Sequence, residues 1–210
     1  MKAKKEIIAG PSAEERIKTA ARLVFMEKGY AATRTRDIAD ASGQNLALIN
    51  YYFRSKENLF DIIMVENMQL FLHSVADILN DKNTTLQQKL TVLINHYINM
   101  LIKNPQMPLF ILNEINTNPQ KLVEKIGLSM SAKDFYITEQ WQEAVAKNKI
   151  TINPVHVVMN IMGMTVFPFM SGPLMRNRTG MNMQQFNQLM EERKKLIPLW
   201  IAAIVRSSMI

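Results

Sequence analysis

The 210-residue sequence has no cysteine, which excludes disulfides and thiolate metal sites and leaves the chain compatible with a reducing compartment. Its histidines, His73, His96 and His156, are scattered, so no two sit one helical turn apart as a metal-binding pair requires. A Gly-rich phosphate loop and a nucleophile elbow are also missing. Neither catalysis nor a bound cofactor or metal is expected. No stretch alternates apolar and polar residues long enough for a strand, and the turn signals fall between segments of helical length. The start, "MKAKKEIIAGPSAEER", holds only "IIA" as an apolar core, too short for a secretory signal; a cytoplasmic location is expected.

What is present is an uneven charge. Of the formal net charge of +7, residues 1–56 carry +5, from 11 Lys/Arg against 6 Asp/Glu. A basic head on a nearly neutral body points to a polyanion, most often nucleic acid. Arg34, Arg36, Arg54 and Lys56 lie beyond the basic tail and so belong to the head itself. From Val155 to Met175 no residue is charged, a length that nominates a membrane span. His156, Asn160, Thr165, Ser171, Pro168 and Pro173 argue against one, and a helix buried all round is expected instead.

The pattern predicts an all-α chain in which a three-helix head is rigidly joined to a larger helical body. After a flexible tail over residues 1–12, Pro11-Ser12 opens a helix with Glu14 and Glu15 at its positive end and Gly29 as its stop. "ATRTRDIADASG" gives a Thr-capped short helix ending at Gly43. Asn45 caps the next, to Phe53, and Ser55 caps a long one from Lys56 to Asn80. Further helices are expected at 85–103, 107–116, 119–147, 154–171 and 183–207, with a break at "SGP", 171–173. The head spans 13–58 and the body 59–210, with the boundary inside the long helix. Ile17, Ala21, Val24, Phe25, Ile38, Ala39, Ile49, Tyr52 and Phe53 form the expected head core.

Three short helices with a Gly turn between the second and third are the layout of a helix-turn-helix. The literal residues are more specific. Residues 14–62, with "GYAAT", "DIA" before a Gly turn, and "YYF-x-SKENL", closely resemble the DNA-binding head of the TetR family of transcriptional regulators. The resemblance implies that Thr35 and Arg36 contact phosphate and that Asn45, Leu46, Ala47 and Leu48 open a recognition helix in the major groove. It further implies that Asn50, Tyr51 and Tyr52 flank bases or phosphates and that Lys56 meets a phosphate. Many members have Tyr at position 50 and a small or polar residue near 46. Here Leu46 suits a thymine methyl and Asn50 an adenine or a phosphate, which predicts an A·T-containing operator.

The resemblance also implies a homodimer on a palindromic double-stranded DNA operator, its last two long helices forming a four-helix bundle with the partner; the 155–171 and 183–207 helices are the candidates, and an intramolecular core fits their pattern equally well. The polar run "EERKK", 191–195, is expected in solvent. Sixteen methionines are unusual. Met100, Met107, Met130, Met159, Met162, Met164 and Met170, with Phe110, Phe135, Trp141, Phe167 and Phe169, suit an adaptable cavity for a hydrophobic small-molecule effector. No individual pocket residue is singled out. The leading reading is a ligand-responsive dimeric repressor, with no membrane partner. The alternative is a DNA-bound scaffold that acts through protein partners.

Overall fold

A computed structural model describes residues 11–117, 119–127, 134–148 and 150–209. They form helices α1 (Ala13–Ala32), α2 (Thr35–Ser42), α3 (Leu46–Phe53), α4 (Lys56–Asn80), α5 (Leu86–Lys103), α6 (Met107–Thr117), α7 (Pro119–Ile126), α8 (Tyr136–Asn148), α9 (Pro154–Thr179) and α10 (Met183–Arg206). The architecture is all-helical; the one β contact among the described residues is the isolated Ile150–Met209 bridge. Two compact units divide after Glu66, inside α4, where the sequence had suggested residue 58. The tail, 1–10, lies outside the described residues.

In the first unit, Ser12 Oγ accepts the Glu15 N–H at 3.2 Å and so caps α1. Ile17, Ala20, Ala21, Val24 and Phe25 turn inward from α1 and meet Ile38 and Ala39 of α2, Ile49 and Phe53 of α3, and Leu59, Phe60 and Ile63 of α4. Gly29, at φ +74°, interrupts α1 before a last turn, and the Thr33 hydroxyl returns to the Gly29 carbonyl at 2.7 Å. The expected Thr cap on α2 is not used. Arg34 holds the cap position, and its N–H donates to Asp37 Oδ2 at 2.7 Å. That bond, helped by Lys28 Nζ at 3.0 Å, holds the Asp37 carboxyl below its usual range.

Tyr52 departs from the expected core and is 40% exposed. Ile49 and Phe53 already fill the inward side of this two-turn helix. Tyr52 stands at its flank, edge-on to Tyr51 with ring centroids 5.2 Å apart.

In the second unit, α5 is central, burying Ile94, Ile98 and Leu101 and packing against α8, α9 and α10. Three expectations change here. The 119–147 helix is broken, because α7 ends at Ile126 and Gly127 takes the left-handed φ of +67° that favours glycine. The break at 171–173 does not occur. Gly172 serves close packing instead: a Cβ there would stand 3.1 Å from Phe186 Cζ of α10. The 155–175 stretch is not buried all round either. Val157, Ile161, Thr165 and Phe169 face inward, while Val155, Val158, Met159, Met162, Phe167 and Leu174 are exposed.

Lys89, fully buried, is a feature the sequence did not flag. Its ammonium donates to the Asp81 carbonyl, to Thr84 O at 3.3 Å and to Thr84 Oγ1 at 2.7 Å, three acceptors for three protons. It thereby pins the turn between α4 and α5. Gln140 of α8 donates to the same Thr84 carbonyl at 2.7 Å. Arg193, within "EERKK", turns inward to the Met164 carbonyl at 2.9 Å instead of facing solvent.

Candidate nucleic-acid interface

The surface of interest is built by α2, the turn at 43–45 and α3. Gly43 at φ +65° ends α2, and its N–H reaches the Asp40 carbonyl at 3.3 Å. Asn45 Oδ1 then accepts the Leu48 N–H at 2.8 Å and starts α3. The Asn45 side-chain oxygen is therefore used inside the protein, which leaves its amide NH2 to donate outward. With Ile49 and Phe53 inside, Leu46, Ala47, Asn50 and Tyr51 are exposed, Tyr51 at 78%. Leu48 is half-buried.

Cations frame this apolar surface. Arg34 and Arg36 are exposed at the start of α2, beside half-buried Thr35, and Arg54 is exposed at the end of α3. The backbone N–H groups of the first turn of α2 add a positive dipole end, only partly met by Asp37. Arg54 has φ +62° and ψ −43°, and the Ser55 N–H donates to Phe53 O at 2.6 Å, making a γ-turn of the rare positive-φ form. A non-glycine there stores about 1–3 kcal/mol of strain. Asn58, whose Nδ2 donates to Phe53 O at 3.1 Å and whose N–H donates to Ser55 Oγ at 3.0 Å, holds the turn in place.

Lys56 is tied inward. Nζ donates to Tyr30 O at 2.9 Å and Thr33 O at 2.8 Å and stands 4.2 Å from the Tyr30 ring centroid. Two of its three protons fix the start of α4 against the chain after Gly29, leaving one for an outside acceptor. The ion pairs of Glu66 with Lys18, at 3.0 Å, and with Arg22 fasten α4 to α1. The head can thus present α3 as part of one packed body.

Residues 17–63 match the family model described as bacterial regulatory proteins, tetR family. Over 204 residues, 93% of the chain and 95% of the relative, the sequence is 22% identical to the "Probable HTH-type transcriptional regulator YttP" of Bacillus subtilis. The fold matches a TetR/AcrR-family regulator from Thermobifida fusca with a TM-score of 0.60, at 18% identity, over 88% of this chain and 96% of that one. Residues 17–63 form a tetR-type DNA-binding head. A further fold match is the transcriptional regulator FadR of Bacillus subtilis, solved in complex with stearoyl-CoA, with a TM-score of 0.51 and 19% identity over 87% of this chain and 96% of that one. The matched residues hold the helix-turn-helix of α2 and α3.

The body is less uniform than the sequence implied. Of the residues expected around a cavity, Met100, Met107, Phe110 and Phe169 are buried, and Met164, Met170, Phe135 and Trp141 half-buried. Met159, Met162 and Phe167 lie instead on the exposed side of α9, and Met130 lies outside the described residues. Glu114 pairs with Lys125 at 3.1 Å. The second apolar surface, α9 with Leu196, Leu199 and Trp200 of α10, is the feature that sequence periodicity could have flagged as one-sided.

Proposed function

We propose that the protein is a homodimer that binds a palindromic operator through α2 and α3 and leaves it when a hydrophobic small molecule enters the body. In this reading it is a ligand-responsive repressor of the cytoplasm. The observation that carries it is the pair of exposed apolar surfaces, one framed by cations on α3 and one on α9, which is uncharged from Val155 to Met175. Thr35 and Arg36 hold phosphate, Leu46 and Ala47 meet thymine methyls, and Asn50 pairs with adenine or phosphate. Asn45, Leu48 and Tyr51 flank the bases, and Lys56 offers its last proton to the backbone.

A twofold dimer sets two recognition helices on half-sites about 34–36 Å apart, so a shift of a few ångströms costs tight binding. The continuous helix α4, from Lys56 to Asn80, gives the effector signal a covalent route to the head. A methionine-rich interior suits a long apolar ligand, and FadR, of similar fold, binds stearoyl-CoA. The test is to map bound sites across the genome and then titrate an operator complex with acyl-CoA thioesters and with small charged metabolites. The expected result is an inverted repeat with A·T steps, released by the apolar ligands alone. By reciprocity, operator DNA then weakens ligand binding by the same factor.

A second reading, a DNA-bound scaffold for protein partners, is favoured by exposed Leu109, Leu112 and Ile115 on α6. It predicts that no small molecule changes operator affinity, while charged substitutions at these three positions remove regulation without loosening DNA.

A further inference from the structure

Pro168 is buried inside α9. A proline at that position has no N–H to give to the carbonyl four residues earlier, that of Met164. An open carbonyl against a packed neighbour needs another donor. Arg193 supplies it from α10, with Nη2 at 2.9 Å from Met164 O. Its guanidinium also lies 5.3 Å from the Trp200 ring centroid. A planar guanidinium can donate to the carbonyl and stack on the ring at once, whereas a lysine ammonium offers donors without the plane.

The contact falls midway along the antiparallel pair α9–α10. At one end Phe186 packs edge-on to Phe169, with ring centroids 5.6 Å apart, and closely against Gly172. At the other, the Ile150–Met209 bridge and the Thr151 N–H to Ser208 O bond, 3.1 Å, close the pair. Between these ends Arg193 makes a hydrogen bond that crosses from one helix to the backbone of the other. It reaches that backbone at the point where the proline opened it.

We infer that Arg193 is a positioning residue for self-association: it fills the hydrogen bond that Pro168 forfeits and so keeps α9 and α10 in the register in which both helices offer their exposed apolar side chains, Phe167 on one and Leu199 and Trp200 on the other, to a second copy of this chain. The inference rests on the homodimer reading above. It makes Pro168 and Arg193 a coupled pair. An N–H at position 168 would satisfy Met164 directly and make the guanidinium dispensable.

The test is a double-mutant cycle of R193M, P168A and P168A/R193M in the full chain, read as the dimer dissociation constant by sedimentation equilibrium, with circular dichroism as a check on helix content. R193M keeps the apolar stem and removes the donors. It should weaken the dimer about tenfold, the worth of a hydrogen bond from a charged donor to a partly buried acceptor. P168A alone should change little, and P168A/R193M should return to within about threefold of the parent. An R193M protein as dimeric as the parent, or a double variant no better than R193M, overturns the inference. The same holds if both Arg193 variants lose helix content. If the parent itself sediments as a monomer, the homodimer reading and the inference about self-association both fail. The same cycle read in thermal midpoints would then show whether the Pro168–Arg193 coupling exists without it.

Discussion

The recognition helix α3 and the first two-thirds of α9 are alike in composition: neither carries a charged residue, and both leave large apolar side chains in solvent. Their surroundings differ. Arg34, Arg36 and Arg54 frame α3, whereas α9 is uncharged from Val155 to Met175. Apolar groups ringed by cations suit a polyanion that displays thymine methyls. Apolar groups without such a ring suit another surface of the same kind. Charge around a greasy helix, more than the greasiness itself, tells which partner it awaits.

The largest effect should come from giving α9 the charge it lacks. Phe167 is 64% exposed, and Phe167→Arg would put a cation into the apolar face of each protomer. Dimers should give way to monomers in sedimentation equilibrium, with helix content kept. Operator affinity should fall by about 100-fold or more, because two half-sites are no longer engaged through one linked pair. A dimeric, tight-binding Phe167→Arg protein would remove α9 from the interface and undo the comparison.

On α3 the reverse change separates the frame from the reader. Arg36→Ala should weaken binding to all sequences alike and lower the slope of log affinity against log salt by about one counterion. Fluorescence anisotropy at several salt concentrations measures both. Leu46→Ala should leave that slope unchanged and cost about 1 kcal/mol only where a thymine lies beneath it. An unchanged sequence preference in Leu46→Ala would show that the leucine packs within the head instead.

Much of the head was legible because its signals are local. Ser12, Asn45 and Gly43 act within one turn of their own position, and Ile38, Ile49 and Phe53 follow from helical spacing. Tyr52 was misread because one face of an eight-residue helix has room for only two large inward side chains. In the body the decisive partners are distant in sequence. Arg193 looks like part of a solvated charge run until Met164 is brought to it, and Lys89 reads as surface until the α4–α5 turn folds around its ammonium. Gly172 beside two prolines reads as a break until Phe186 occupies the space its missing Cβ leaves. Thr35, Arg36, Leu46 and Asn50 were nominated by likeness to a family, and their exposure alone would not distinguish them from any polar turn.

Acid should separate the two units more gently. In the body, burial, with a smaller contribution from the Lys103 charge, lowers the pKa of His96 below its ordinary value of 6.5. The ring lies flat against Phe71, centroids 5.2 Å apart and planes 6° apart, with Nε2 buried and without an acceptor among the described residues. An unfolded chain therefore binds this proton more tightly than the folded one. The contribution of the neutral ring is intact above pH 6.5 and is lost as pH falls from there through the lower folded value. In the head the shifted group is Asp37, whose contribution holds until pH falls below the ordinary carboxylate range near 4. Both tryptophans, Trp141 and Trp200, lie in the second unit, so tryptophan fluorescence in urea reports the body. Its midpoint should fall between pH 7 and pH 5, and His96→Phe, which keeps a ring on Phe71 but cannot take a proton, should flatten that slope. A slope that survives the substitution would move the titrating group elsewhere in the body.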